Sequence, residues 1–176
     1  MAYQVQKIEI PDILIIKSDK FFDDRGYFME LSKKSEFKAL GLPDDFPQTN
    51  LSYSKKNVIR GLHYQTGEKA QGKLVYLISG HVRDVFVDMR PDSPTYKKSA
   101  WVELHGDDNT FIFIPPGFAH GFSVLSDDAF FLYACTNEYS KSAESGICFD
   151  DPTLNIDWGV TEPIVSPKDK LLPKLS

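Results

Sequence analysis

A series of short apolar or alternating segments, separated by turn residues, constrains the fold of this chain more than any other feature. The stretch 72–90, GKLVYLISGHVRDVFVDMR, is the clearest case and predicts two strands joined by a tight turn at Gly80. Val85 and Val87 share one face of the second strand and Asp84 lies on the other, as expected for a strand with two unlike faces. Segments of this kind recurring along a chain predict an all-β sandwich or barrel.

The rest of the chain fits the same architecture, with few helical signals. Residues 35–41, SEFKALG, predict a short helix closed by Gly41. Two strands are expected around the turn at 105–109, and the Pro-rich tail 157–176 is expected to pack over the barrel. With 176 residues and no internal repeat or linker, residues 1–176 are predicted to form a single domain with N-terminal strands and a C-terminal tail packed on the barrel.

Composition restricts the partners and the compartment. The formal net charge of −5 argues against a general affinity for nucleic acid or anionic membranes. We expect no secretory signal at the N-terminus, and no segment approaches the ~20 apolar residues of a membrane span. The two cysteines, Cys135 and Cys148, form neither a CxxC pair nor a disulfide framework. A reduced, cytoplasmic protein is the simplest interpretation.

Charged and polar residues inside strand patterns are the chemical signal. Buried charges must be paired or functional, and inward polar residues from several strands would line a cavity within a barrel. His81 and His105 lie at turns and are interpreted as surface residues without a role. The polar residues within strand patterns are Arg60, His63, Lys73, Asp84, His120 and Tyr133.

From the residues alone, His63 is a structural histidine, a metal ligand or a catalytic base. Cupin barrels that hold a metal need several His or Glu ligands at close spacing, yet HYQ (63–65) supplies one histidine where His-x-His would be expected. His63 and His120 could supply two ligands, and no convincing third or fourth follows from the sequence. We therefore predict neither a metal nor a cofactor.

Motifs along nearly the whole chain resemble the dTDP-4-dehydrorhamnose 3,5-epimerase family. They are DDRGYFMEL (23–31), FPQTNLSYS (46–54), RGLHYQ (60–65), QGKL (71–74), FIPPGFAHGFSVLS (113–126), DDPTLNIDW (150–158) and SPKD (166–169). The resemblance implies a metal-free, cupin-type jelly-roll barrel with a few short peripheral helices, and a homodimer that exchanges N-terminal strands. It also implies epimerisation at C3 and C5 of dTDP-4-dehydro-6-deoxy-D-glucose, giving dTDP-4-dehydro-L-rhamnose.

Carried over by position, the resemblance assigns four catalytic residues. His63 matches the general base, Asp169 its carboxylate partner, Tyr133 the general acid, and Lys73 the residue near the sugar's C4 oxygen. Asp84 is similar to a strand carboxylate near the catalytic histidine. Positions matching substrate contacts are Arg25, Glu30, Gln48, Asn50, Arg60, His120, Tyr139, Glu144 and Lys168. Arg25 is expected to reach into the partner subunit's site and, with Arg60, to hold the diphosphate.

These residue types suit the chemistry. The C–H bonds beside a ketone are acidic because their conjugate base is an enolate. Inversion needs a base on one face, a cation near the C4 oxygen and an acid on the opposite face. A histidine with an ordinary pKa of about 6.5 is neutral yet basic near physiological pH.

Departures from the family pattern keep rival functions open. Ala134, Asn137, Glu138 and Phe149 stand where the family commonly has other residues, and they bear on the nucleotide and on the number of carbons inverted. The alternatives are an epimerase of one carbon, a 3,4-ketoisomerase of similar fold, and a non-catalytic sugar-nucleotide-binding cupin. Retention of the base, the acid and the carboxylate together argues against the last.

Overall fold

The computed structural model describes residues 3–175. Its strands are β1 (Gln4–Lys7), β2 (Leu14–Lys17), β3 (Lys20–Asp23), β4 (Gly26–Met29), β5 (Gln48–Lys55), β6 (Val58–Gln65), β7 (Lys73–Ser79), β8 (His81–Asp88), β9 (Ser99–His105), β10 (Thr110–Ile114), β11 (Phe118–Val124), β12 (Asp128–Cys135), β13 (Glu144–Gly146) and β14 (Ile164–Val165). Its α-helices are α1 (Lys34–Ala39) and α2 (Pro167–Lys170), and single 3-10 turns cover Gly67–Lys69 and Lys141–Ala143. Within 3–175, no helix is long and apolar enough to cross a membrane.

Two sheets make up the body of the fold. The first has the order β1-β2-β10-β7-β12-β5, and the second has the order β13-β6-β11-β8-β9, with β14 added in parallel to β6. Successive strands from β5 to β8 alternate between the two sheets. β8 and β9 are neighbours in the second sheet, and the strands from β9 to β13 then alternate between the sheets again. The β3–β4 hairpin forms a separate two-stranded sheet. This is the predicted cupin-type jelly-roll barrel.

The pairing of the two strands expected within residues 72–90 is wrong. β7 and β8 do not form a hairpin, because β7 pairs with β10 and β12 whereas β8 pairs with β9 and β11. Likewise β9 and β10 lie in different sheets. The outer faces of the strands explain the separation: Leu74 of β7 packs under α1, whereas Val85 of β8 packs under the C-terminal segment.

The space between the sheets is apolar over most of its length and polar at one end. Its core includes residues from both sheets: Val75, Leu77, Val82, Phe86, Ile112, Phe118, Phe122, Ala129 and Phe131. Strand alternation carries the same inward faces to Lys73, Asp84, His120 and Tyr133. The charged residues within the strand patterns therefore meet at one end of the barrel.

The peripheral segments complete the fold and deliver one distant residue to that end. The predicted helix at 35–41 is α1, and Gly41 follows it with a φ of +71°. The tail packs over the second sheet through Leu154, Trp158 and Val165. It ends in α2, where the Ser166 hydroxyl accepts a hydrogen bond from the Asp169 N–H at 3.0 Å.

Candidate active site

The polar end of the barrel opens into a cavity of about 490 Å³. It is lined by Ser52, Val58, Ile59, Arg60, His63, Lys73, His120, Gly121, Phe122, Phe131, Tyr133, Ile164, Val165, Ser166 and Asp169. The sequence-predicted catalytic residues His63, Lys73, Tyr133 and Asp169 all lie on this wall. The lining combines apolar surface with a few polar groups, which is typical of a small-molecule site.

His63 and Asp169 form a hydrogen-bonded pair on the cavity wall. The His63 Nε2 lies 2.8 Å from Asp169 Oδ1, and the Gly61 N–H donates to Asp169 Oδ2 at 3.2 Å. Burial raises the pKa of Asp169, but the hydrogen bond and charge of His63 and the Gly61 N–H outweigh it, so this pKa lies below its ordinary value. Asp169 is therefore held ionised beside an imidazole whose side chain remains 35% exposed.

An irregularity at Gly61 aims both Arg60 and His63 at the cavity. Strict alternation would put these two residues on opposite faces of β6, yet both line the cavity, and the register of β6 against β11 shifts at this point. Gly61 has a φ of +117°, and a Cβ there would lie 2.6 Å from the Gly121 Cα. A side chain cannot be accommodated at position 61, so glycine permits the close approach of the two strands.

Lys73 is the buried cation of the site. Its side chain projects from the start of β7, and its Nζ donates to the His63 carbonyl oxygen at 3.2 Å. Burial lowers the pKa of Lys73, and the nearby Cys135 and Asp84 partly offset that effect. A cation in such a water-poor position interacts strongly with negative charge that develops beside it.

Tyr133 lines the cavity from the sheet opposite His63. It lies on β12 of the first sheet, whereas His63 lies on β6 of the second. Burial raises the pKa of Tyr133, and the neighbouring Cys135 adds to the increase. The phenol therefore keeps its proton and can act as a donor.

His120 and Asp84 form a second, deeper pair. The His120 Nε2 lies 2.6 Å from Asp84 Oδ1, and the two side chains are only 6% and 0% exposed. Burial lowers the pKa of His120 although Asp84 opposes the shift. The family resemblance predicts Asp84 near the catalytic histidine, and its hydrogen-bond partner in the structure is His120.

A second cavity of about 300 Å³ adjoins the first and shares His63, Lys73 and Tyr133 with it. The predicted contact residues Gln48, Asn50, Tyr139 and Glu144 line it, together with Tyr64, Gln65 and Gln71. The Gln48 amide connects this wall: its Oε1 accepts from the Tyr139 N–H at 2.7 Å and its Nε2 donates to Asn50 at 2.9 Å. Lys168 reaches the wall indirectly, since its Nζ binds Glu144 at 2.5 Å.

The structure does not bring every predicted contact residue to these cavities. Arg25 is exposed at the tip of the β3–β4 hairpin, where it pairs with Asp23 at 2.5 Å. Glu30 follows the same hairpin and lines neither cavity. Arg60 lines the larger cavity, and its guanidinium is held by the Ser54 hydroxyl at 2.8 Å and the Tyr53 carbonyl at 3.0 Å.

Several lining residues escaped the sequence reasoning. Ser52 follows Gln48 and Asn50 on the same face of β5 by one more two-residue step, and Phe131 stands two residues before Tyr133. Period-2 alternation could have found both. Ser166, which caps α2, could not have been placed without knowing that the tail folds against β6.

Comparison with known proteins identifies relatives over almost the whole chain. A sequence model of the dTDP-4-dehydrorhamnose 3,5-epimerase family matches residues 7–176. The dTDP-4-dehydrorhamnose 3,5-epimerase of Shigella flexneri is 49% identical over 166 residues, covering 94% of this chain and 92% of the relative.

Solved structures agree with the sequence match. The dTDP-4-dehydrorhamnose 3,5-epimerase of Elizabethkingia anophelis superimposes with a TM-score of 0.94 at 42% identity, over 99% of this chain and 97% of its own. The 3,5-epimerase of Legionella pneumophila, solved in complex with dTDP-4-keto-L-rhamnose, gives a TM-score of 0.90 at 40% identity over 99% of both chains.

Proposed function

The chain belongs to the dTDP-4-dehydrorhamnose 3,5-epimerase family, and from that premise we propose how its own residues perform the reaction. The protein is an isomerase that inverts C3 and C5 of dTDP-4-dehydro-6-deoxy-D-glucose, in the biosynthesis of dTDP-L-rhamnose. The observation that carries the assignment of residues is the His63–Asp169 pair facing Tyr133 across one cavity, with Lys73 buried beside it.

His63 is the general base. Its Nε2 is engaged by Asp169, which leaves Nδ1 to accept the proton from the carbon beside the ketone. As the proton arrives, the imidazolium forms next to an ionised carboxylate, so Asp169 stabilises the charge and fixes the ring orientation. The electron pair of the broken C–H bond moves to the C4 oxygen and forms the enolate.

Lys73 and Tyr133 complete the inversion. The Lys73 ammonium stabilises the negative charge on the C4 oxygen, in a position where burial makes the interaction strong. Tyr133 then donates its phenolic proton to the carbon from the face opposite His63. The phenolate recovers a proton from solvent and the His63 imidazolium releases its proton to solvent, which restores both groups. A single base and a single acid serve C3 and C5 in turn when the sugar shifts or changes pucker between the two steps.

The nucleotide occupies the smaller cavity, and the diphosphate lies towards Arg60 on the wall of the larger one. Arg60 offers a guanidinium to the diphosphate, and the wall of Gln48, Asn50, Tyr139 and Glu144 contacts the remainder of the substrate. Lys168 orients Glu144, and His120 contributes a neutral ring to the sugar end. Local cations such as Arg60 thus bind the doubly charged diphosphate on a protein whose net charge is −5.

Arg25 and Glu30 act in a homodimer that exchanges N-terminal strands. Supporting this, the β3–β4 hairpin lies outside both main sheets and exposes large apolar side chains, with Phe22 at 74% and Phe28 at 61%. Leu51 of β5 is also 61% exposed. Such a surface is typical of a protein–protein interface. A hairpin docked on a second copy would carry Arg25 towards that copy's site.

The remaining assignments follow from the same premise. We propose one domain over residues 1–176, of which residues 1, 2 and 176 lie outside the described part. We also propose a cytoplasmic location and a reaction that uses no cofactor. Epimerase activity should therefore survive exhaustive chelation.

One experiment separates the reaction from its rivals. The protein is incubated with dTDP-4-dehydro-6-deoxy-D-glucose in deuterated water, and the sugar protons are followed by NMR. We expect deuterium at both C3 and C5. Label at one carbon would select the single-carbon epimerase, and tight binding without exchange would select the binding protein. His63→Ala should abolish exchange at both carbons and leave nucleotide binding largely intact.

A further inference from the structure

A group of potential metal ligands lies outside the catalytic cavities, on the outer face of the second sheet. His81 and His105 are direct cross-strand partners of β8 and β9, with rings stacked at 4.0 Å between centroids. Glu103 is two residues before His105 on the same face, and its Oε2 lies 3.0 Å from the His81 Nε2. The ligand atoms of these three residues all lie within 4.8 Å of one another. Within residues 3–175, no other group of three or more His, Cys, Asp or Glu residues brings its ligand atoms this close together.

These separations match those in a metal site. With metal–ligand bonds of about 2.0–2.2 Å, two ligand atoms of a tetrahedral ion lie about 3.3 Å apart. The 3.0 Å gap between His81 and Glu103 is close to that value, and the ligand atoms of all three residues lie within 4.8 Å of one another. A small movement of exposed or half-buried side chains is enough to converge the three donors on one point.

Neighbouring residues hold the carboxylate in place. The Arg83 Nη2 donates to Glu103 Oε1 at 2.9 Å, which leaves Oε2 directed at His81. Arg83 is itself fixed by Asp157 at 2.8 Å and stacks on the Trp101 ring at 4.1 Å. Hydrogen bonds of this kind to a ligating carboxylate are typical of metal sites. Glu103 and Asp157 together outweigh the charge of Arg83, so the surroundings stay net negative.

We propose that His81, Glu103 and His105 form a surface site for a divalent transition metal of the Zn²⁺ type. Two imidazoles and one carboxylate suit such ions, whereas Ca²⁺ and Mg²⁺ prefer oxygen ligands alone. The ion links β8 to β9, the edge strand of the second sheet, and therefore stabilises that edge. It takes no part in epimerisation, because His81 and Arg83 lie on the face of β8 opposite Asp84.

Calorimetric titration of chelator-treated enzyme with Zn²⁺ tests the proposal. We expect one ion per chain, no competition from excess Ca²⁺, and a thermal midpoint that rises with Zn²⁺. His105→Asn and Glu103→Gln should each weaken binding at least tenfold, the scale on which even outer partners of a metal site act. Both variants should keep epimerase activity, which shows that they fold.

Two matched controls locate the site. Glu162→Gln alters an exposed carboxylate elsewhere, and His63→Gln alters the histidine of the catalytic cavity; both should bind Zn²⁺ like the wild type. Absence of stoichiometric binding would overturn the proposal. So would binding that survives His105→Asn, that is lost in His63→Gln, or that Ca²⁺ displaces.

Discussion

Two histidine–aspartate pairs stand at the polar end of the barrel, and they differ mainly in burial. His63 and Asp169 meet at 2.8 Å with the histidine side chain 35% exposed, whereas His120 and Asp84 meet at 2.6 Å with the histidine 6% exposed. Asp169 comes from the C-terminal tail, while Asp84 comes from β8, the strand beside that of His120. The same two residue types are thus placed once at the open wall of the cavity and once deeper in it, where both side chains are nearly buried.

The difference separates a proton acceptor from a fixed neutral ring. Burial lowers the pKa of His120, so its imidazolium is disfavoured even with Asp84 in contact. His63 opens to the cavity, where a substrate proton can reach it, and Asp169 remains ionised to stabilise the resulting charge. A histidine–carboxylate pair alone therefore does not identify a base, because burial of the histidine decides whether it can carry the proton.

Removing the acid opposite His63 would sharpen this comparison most. In Tyr133→Phe, we expect inversion at C3 and C5 to fall by about 10³-fold, within the range for loss of a general acid. Deuterium wash-in without inversion should continue, because His63 still removes a proton and returns a deuteron on its own face. NMR in deuterated water measures both rates. Equal loss of wash-in and inversion would show that Tyr133 is needed for deprotonation as well.

Neutralising each aspartate should separate the two pairs. Asp169→Asn should lower kcat by about 10²-fold, since it removes the stabilisation of the imidazolium. Asp84→Asn should instead lower the free energy of unfolding by about 1–3 kcal/mol, because it disturbs a fully buried hydrogen bond. Steady-state kinetics and denaturant unfolding on both variants measure these effects. The opposite pattern would exchange the roles of the pairs.

The buried pair should also leave a signature in the pH dependence of stability. The pKa of His120 in the fold lies below the unfolded value of about 6.5, so the unfolded chain binds more protons near that pH. The free energy of unfolding therefore falls as the pH is lowered through about 6.5, by at most about 1.4 kcal/mol per pH unit from this group. Asp169, whose pKa is lowered, loses its contribution only below about pH 5.

His120→Gln tests that signature. Glutamine cannot titrate, so the loss of stability between pH 7 and 5 should be shallower in the variant than in the wild type. Denaturant unfolding at several pH values gives the two slopes. Identical slopes would mean that His120 does not remain neutral on folding.

The residues that depart from the family pattern should affect catalysis least, because their side chains line neither the larger nor the smaller cavity. Glu138 is exposed, and Phe149 packs with the C-terminal segment. Glu138→Tyr should change kcat/KM by less than about twofold and leave the ratio of exchange at C3 and C5 unaltered, as surface substitutions are usually neutral. A change in that ratio would give this position a part in selecting the carbon.

The sequence predicts which strand residues face inwards far better than it predicts which of them pair. Alternation within strands already places Lys73, Asp84, His120 and Tyr133 on inward faces, since the period of a strand is fixed. It cannot state which sheet a strand joins, so the β7–β8 hairpin was expected and is absent from residues 3–175. That choice depends on which outer layer covers each strand.

Contacts between distant segments cannot be predicted from the local periodicity of the sequence. Asp169 lies 106 residues from His63, and only the family resemblance connected them. The Asp84–His120 pair and the His81–Glu103–His105 group depend on the pairing of β8 with β11 and β9, which local sequence does not encode. Arg25 shows the converse: its predicted role needs a second copy of the chain.

The most direct test of the difference between the two pairs is deuterium wash-in at C3 and C5 measured side by side for His63→Gln and His120→Gln. We expect wash-in at both carbons to fall by about 10³-fold or more in His63→Gln, in line with loss of a general base, and to persist within about tenfold of wild type in His120→Gln. Rapid wash-in by His63→Gln, together with its loss in His120→Gln, would contradict the assignment and make the buried pair the base.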